Sequence, residues 1–390
     1  MSNDPARLSA TAARFRAWMF DQALPFWACE GRDAPGLGFH ETLRLDGVSA
    51  DSPFKRMRVQ ARQLYSYAHA AMMGWPDGLE VARVGYDFII AHGWRSTGGW
   101  AKLLGPSGGV VDDTADLYDN AFVLFALAWY ARASGSDEAL ARARHTLDWI
   151  LASMGVAAHG GFENTIPVDV GHRQQNPHMH LLEALLALHA TSPDPAVLEL
   201  AGSIAGLFRR HFFNRSTSTL GEFFGRDWSP APGDAGTLVE PGHHYEWVWL
   251  LQQYAARSGE DFALEQDALF RFAETHGRNP RTGFVVNALG QDGRVRDAAS
   301  RLWMQTEELK AHLALGERDG HIDVPRIEAV VATLLNHYCD PCGGGTERIV
   351  PPGGWIDVFD AEGKPAVKVM PASSLYHIYV AFAELQRMAA

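Results

Sequence analysis

Stretches that are apolar on nearly every face alternate along this chain with stretches that carry a single apolar stripe. Met179–His189 (MHLLEALLALH) is apolar almost all round, whereas the segment from about Ala196 to Phe213 keeps its charges on one side. A helix of the first sort must be covered from every direction, and one of the second sort suits a surface. The pattern predicts inner helices near 55–74, 115–133, 176–191, 242–257, 300–315 and 371–388. It predicts outer helices near 6–28, 77–92, 137–153, 195–212, 259–276 and 322–338.

Each inner stretch follows a short, turn-rich segment opened by a glycine and an aromatic or acidic residue. The pairs are Gly38-Phe39, Gly99-Trp100, Gly161-Phe162, Gly221-Glu222, Gly283-Phe284 and Gly354-Trp355, at spacings of 61, 62, 60, 62 and 71 residues. Such regularity marks a structural repeat, read here as β-hairpin, inner helix, polar turn, outer helix. Twelve alternating helices close into a ring if the N-terminal outer helix packs beside the last inner one. The expected architecture is an all-α (α/α)6 barrel, or toroid, with short β-hairpins at one end. An open array would need polar end caps, and Phe15, Trp18, Met19, Phe20, Phe26 and Trp27 make the N-terminal helix too apolar for one. No linker interrupts the period, so residues 1–390 are expected to form one catalytic domain.

Composition narrows the partners. A hydrophobic fraction of 47% with 12 Trp and 20 Phe supplies a large core and leaves aromatic rings to stack on sugars. A net charge of −12 without clustered Lys and Arg argues against nucleic acid. No apolar run is long enough for a membrane span, and the N-terminal residues lack a basic region followed by an apolar core, which points to the cytoplasm. Cys29, Cys339 and Cys342 are too few for a disulfide framework. Cys339-Asp-Pro-Cys342 has redox or zinc spacing but no second pair, and reads as thiols at a helix end. Oligomeric state is open between monomer and dimer.

If the hairpins share one end of the ring, the first turns of all six inner helices face one mouth. Their polar residues are Arg58, Gln60 and Arg62; Asp116, Tyr118, Asp119 and Asn120; Asn176, His178, His180 and Glu183; His243, His244 and Glu246; Trp303, Gln305, Glu307 and Glu308; Ser374, Tyr376 and His377. An unpaired buried polar group costs roughly 1–3 kcal/mol, so this number of them implies a wet, functional cavity. A single histidine on an apolar helix is more often a hydrogen-bonded core residue. Here, however, His180–Glu183 and His243–Glu246 repeat an i, i+3 spacing that sets imidazole and carboxylate on one helix face. That arrangement suits proton transfer. Arg62 serves either a buried ion pair with a mouth carboxylate or an oxyanion. Trp303, among polar neighbours, is read as a sugar platform and Trp247 as core, while Asp112 and Asp113 are read as helix caps.

At these residues the chain resembles the N-acylglucosamine 2-epimerase superfamily over essentially its full length. The resemblance rests on Gln60-Ala-Arg62, Leu117-Tyr-Asp-Asn-Ala-Phe122, Asn176-Pro-His-Met-His-Leu-Leu-Glu-Ala184, Glu240-Pro-Gly-His-His-Tyr-Glu-Trp247, Arg301-Leu-Trp-Met-Gln-Thr-Glu307 and Leu375-Tyr-His377. It implies sugar interconversion without metal or cofactor, by two histidines that match His243 and His377, with Arg62, His180, Glu183 and Glu246 in support. The blocks are most similar to the mannose isomerase branch.

The expected reaction interconverts D-mannose and D-fructose, with His377 removing the C2 proton to form a cis-enediolate. Arg62 and His180 stabilise it, and His243, oriented by Glu246, opens the ring. Asn176, Glu183, Trp303, Tyr118, Asp119, Gln305 and Glu307 are expected to bind the sugar. A 2-epimerase would use the same side chains. A metal-dependent isomerase, a glycoside hydrolase and a non-catalytic sugar-binding protein are the rivals. No basic cluster stands out in the sequence, which favours an unmodified hexose.

Overall fold

The computed structural model describes residues 5–339 and 348–390. It is mostly helical with short strands. The chain begins with α1 (Pro5–Trp18), a π turn over Met19–Ala23 and α2 (Leu24–Cys29). There follow α3 (Met57–Met72), α4 (Gly78–His92), α5 (Leu117–Ser134), α6 (Asp137–Met154), α7 (Gln175–Thr191) and α8 (Pro195–Leu207). The rest are α9 (Pro241–Ser258), α10 (Ala263–His276), α11 (Leu302–Asp319), α12 (Val324–Thr333) and α13 (Ser374–Ala389).

The odd-numbered helices from α3 onward bury residues on nearly every face, and the even-numbered ones on a stripe. In α6 the stripe is Ala139, Ala143, Thr146, Leu147, Ile150 and Met154, at helical spacing. Ser136 caps that helix by accepting from the Ala139 amide. α5 ends at Gly135 in the left-handed region, where a β-carbon would be strained.

Packing follows chain order and returns to its start. α3 packs on α5, α5 on α7, α7 on α9, α9 on α11, α11 on α13, and α13 on α3. α1 lies on both α12 and α13, where Phe15 meets Phe382 edge-on. Farther along, Trp27 of α2 stacks on Trp355 at 4.3 Å. The apolar N-terminal residues are therefore spent on the last unit.

Hairpins within a unit form at 101–104 with 110–116 and at 288–290 with 295–297, and pairings between units are added to them. The short strand leading into each inner helix pairs antiparallel with a strand of the next unit: 55–56 with 101–104, 110–116 with 165–166, 173–174 with 223–224, 238–239 with 288–290, and 300–301 with 358–359. The sixth pairing, Leu43 opposite Met370, joins the last unit to the first.

The repeated glycine has a local cause. In five units a polar side chain from the inner helix accepts a hydrogen bond from a backbone amide of the turn: Gln60 from Phe39, Asn120 from Trp100, His178 from Phe162, His244 from Leu220, and Gln305 from Val285. At Gly38, which has φ +68°, a β-carbon would lie 2.4 Å from the Gln60 acceptor oxygen. Glycine there satisfies both the backbone angle and the close approach. Asp112 and Asp113 lie within the strand Val110–Asp116, and Asp116 is the residue that caps α5. Cys339 is buried and Cys29 exposed, while Cys342 lies outside the described residues.

Candidate active site

A cavity of about 480 Å³ opens where the first turns of the inner helices meet, a size suited to a small ligand. Of the residues singled out from sequence, Arg58, Arg62, Asp116, Tyr118, Asn176, His180, His243, Glu246, Trp303 and His377 line it. A larger cavity, about 800 Å³, lies toward the other ends of the inner helices. Its walls are mainly apolar, so the smaller, polar cavity with its three imidazoles is the one equipped for chemistry.

Three imidazoles face this space, each with a carboxylate on its Nδ1. His180 lies 3.1 Å from Glu183, whose oxygens also accept from the Tyr376 hydroxyl. His377 lies 2.9 Å from Glu307. His243 lies 3.0 Å from Glu222 and 3.7 Å from Glu240. The expectation that Glu246 orients His243 is thus corrected: Glu222 arrives from the turn before α9 and takes that place. Glu222 is itself fixed by Gln175, which accepts from the Trp247 indole. Glu246 points elsewhere: one of its oxygens lies within 4.8 Å of a Glu307 oxygen and of a His377 ring nitrogen.

The electrostatics separate two of the rings. Burial opposes charge on His243, but Glu222, Glu240 and Glu246 outweigh it and push its pKa up to about 10. Burial holds His377 well below the usual imidazole range, reinforced by Arg62 and Lys310. At neutral pH one ring is a proton donor and the other an acceptor. Both adjoin Trp303, whose ring centroid is 5.1 Å from that of His243 and 5.6 Å from that of His377.

Arg62 donates to the Tyr118 hydroxyl at 2.7 Å and sits over the Phe122 and Tyr376 rings. Among the described residues no carboxylate forms an ion pair with it, so the ion-pair role weighed for it is not the one it has. The Asn176 carbonyl oxygen and one Glu246 oxygen are buried without a protein partner among the described residues, as groups reserved for a ligand would be.

Four expected sugar contacts are corrected. Asp119 is fully buried, accepting from the amide and guanidinium of Arg58, and it positions that arginine from behind. Gln305 spends its amide on Val285, Ser300 and Arg301. Glu183 and Glu307 stand behind the imidazoles and are absent from the cavity wall.

The fold also assembles basic residues that are dispersed in the sequence. Arg56, Arg58, Lys102 and Arg301 join Arg62 in the wall. Each has an acidic neighbour: Glu41 for Arg56, Asp119 at 3.0 Å for Arg58, Asp116 at 3.2 Å for Lys102 and Asp357 at 3.5 Å for Arg301.

Glu222, Glu240 and Lys310 belong to the site although sequence reasoning did not single them out. Glu222 had a signal: of the six glycine pairs, Gly221-Glu222 is the one with an acidic second residue. Three groups of donor atoms come close enough to suggest a cation site. Glu307 is already engaged by His377 and Lys310, and Glu274 and Glu308 by Arg278 and Arg326. The third set contains the cationic His243.

A profile of the family N-acylglucosamine 2-epimerase (GlcNAc 2-epimerase) matches residues 38–381. The chain is 34% identical to a mannose-6-phosphate isomerase of Rhizobium meliloti over 96% of both chains. It is 27% identical to a D-mannose isomerase of Thermobifida fusca, covering 95% of this chain and 93% of that one. The cellobiose 2-epimerase of Spirochaeta thermophila superposes with a TM-score of 0.84 at 25% identity, over 98% of this chain and 97% of that one. With a family match spanning most of its length, and relatives that share nearly all of it, the chain belongs to the N-acylglucosamine 2-epimerase family of sugar isomerases and epimerases.

Proposed function

We propose that this chain is an aldose-ketose isomerase interconverting D-mannose and D-fructose, built as an (α/α)6 barrel in which all 390 residues form one catalytic domain. The cyclic order of helix contacts and strand pairings supports the barrel. The observation that carries the chemistry is the pair of oppositely tuned imidazoles beside Trp303.

With the sugar ring opened by His243, the carbonyl acidifies the C2 proton and neutral His377 takes it on Nε2. The C–H electron pair becomes the C1–C2 double bond, and the carbonyl pair moves onto O1. Arg62, which has no carboxylate partner among the described residues, balances that charge together with His180. His243 gives a proton to O1 and recovers one from O2, while His377 returns its proton to C1. The product is the ketose, with all protons accounted for. Delivery to the opposite face of C2 instead gives the epimer, the alternative reading.

Incubation with mannose, glucose, cellobiose and N-acetylglucosamine in deuterated water tests the proposal. Fructose is expected from mannose, with deuterium at C1 to the extent that the His377 proton exchanges with solvent before it is returned. Labelled glucose as the main product transfers the assignment to a 2-epimerase, and binding without conversion removes catalysis altogether.

A second reading, a phosphorylated hexose, is favoured by the basic residues of the wall and by the name of the Rhizobium relative. A KM for mannose 6-phosphate about tenfold or more below that for mannose supports it. Equal values remove it.

A further inference from the structure

Lys310 lies on α11 three residues after Glu307, fully buried and outside the cavity wall. Its ammonium is 2.5 Å from one Glu307 oxygen and 3.9 Å above the Trp249 ring. The other Glu307 oxygen meets His377 Nδ1 at 2.9 Å. Lys310, Glu307 and His377 therefore form a line that ends at the cavity. A buried ammonium is costly unless its charge is matched, and Glu307 supplies the carboxylate that matches it here.

We propose that Lys310 is a positioning residue for His377. It holds Glu307 as a carboxylate, which forces the imidazole to carry its proton on Nδ1 and leaves the Nε2 lone pair for the sugar. The inference rests on the reading of His377 as the base.

The surroundings explain why Glu307 needs this help. Facing His377 are Arg62 from α3, His180 and Glu183 from α7, Glu246 from α9, and Glu307 with Lys310 from α11; Arg301 acts from the strand before α11. Burial and the Glu246 charge together hold the Glu307 pKa well above the usual carboxylate range, and Lys310 is the charge that opposes them; the carboxylate form is favoured by the donors on its two oxygens, the Lys310 ammonium on one and the His377 Nδ1 on the other. Burial works against the lysine's own charge, but Glu307, Glu246 and Glu183 keep it an ammonium. A protonated Glu307 would donate to Nδ1 and move the imidazole proton to Nε2, where it blocks the base. Lys310 also disfavours the imidazolium directly. Losing Lys310 therefore has one sign by either route: the base requires a higher pH.

The test is Lys310→Met, which keeps the chain length against Trp249. kcat is expected to fall about 10- to 100-fold with KM within about twofold, because Lys310 touches no substrate. The acid limb of the kcat profile moves up by about one pH unit or more. Nitrogen-15 spectra of the histidine side chains read the tautomer without turnover. In the parent at neutral pH His377 shows a protonated Nδ1 and an unprotonated Nε2, and the variant shows the reverse or a mixture. An unmoved acid limb with an unchanged tautomer overturns the proposal.

If the methionine variant does not fold, Lys310→Arg keeps the charge and is expected to keep the acid limb in place. A limb shifted upward in that variant overturns the proposal. Glu307→Gln and the double variant Glu307→Gln, Lys310→Met are expected to turn over equally, since the lysine then has nothing to hold. A parent protein that converts no sugar ends the isomerase reading, while the tautomer spectra still decide the role of Lys310.

Discussion

On α9, His243 turns its Nδ1 to Glu222 at the cavity, while His244, the next residue, accepts from the Leu220 amide and bonds the Leu269 carbonyl. On α7, His180 meets Glu183 at the cavity, while His178 accepts from the Phe162 amide and bonds the Gln174 carbonyl. The same side chain serves two purposes a residue or two apart. In one position the imidazole has a carboxylate on one nitrogen and open space at the other. In the other, backbone groups take both nitrogens, which leaves a neutral ring with no capacity to spare. Burial accordingly drives His178 down to about 3, helped by Arg173, and His244 down to about 4. What separates them is the partner set, since all four are buried.

The largest effect that sharpens this contrast is at His377. Replacing it with Asn is expected to lower kcat by about 10²- to 10⁴-fold while leaving thermal unfolding near that of the parent. Turnover at the parent rate would break the division between cavity and turn positions. Next in size is Glu222→Gln, which removes the first of the charges that raise His243. A kcat loss of about ten- to a hundredfold is expected, with the alkaline limb of the rate profile moving down from near 10. Rate profiles from neutral to alkaline pH check this.

His244→Leu should do the opposite. It leaves the Leu220 amide without its acceptor and lowers stability by about 1–3 kcal/mol, with kcat within about twofold of the parent. Denaturant unfolding and sugar turnover measured on one preparation decide it. The smallest effect concerns acid stability. The folded-state pKa values of His178 and His244 lie below the unfolded value near ~6.5, so the unfolded chain binds protons first as pH falls. Their contribution is complete above that value and drains away as pH drops toward 4 and then 3. Gln at either position is expected to flatten that part of the stability curve.

The helices were legible because inner and outer ones differ in how much of their circumference is apolar, a property each segment carries by itself. α7, observed at Gln175–Thr191, was expected near 176–191. The polar residues of the first turns were equally legible as a set. Which of them look into the cavity was not, because Gln60, Asn120 and Gln305 are as polar as Arg62 and Asn176, and only the turn amide opposite decides their use. The partner of His243 was misread for a related reason. Spacing along α9 brings Glu246 to a neighbouring position, but Glu222 approaches from another segment, and one helix holds no record of that. His180 and Glu183 do meet across one turn of α7. The basic wall was illegible because Arg56, Lys102 and Arg301 come from three separate strands.

The strand Thr42–Arg44 finds its partner at Val369–Pro371, and near the chain ends Gln386 reaches the Ala12 carbonyl. The first unit is therefore completed only when the last one reaches it. Long-range contacts of this kind slow folding. The apolar residues of α1 and α2 stay without their cover until the last unit has formed, so closing the cycle of helix contacts is expected to come late in folding.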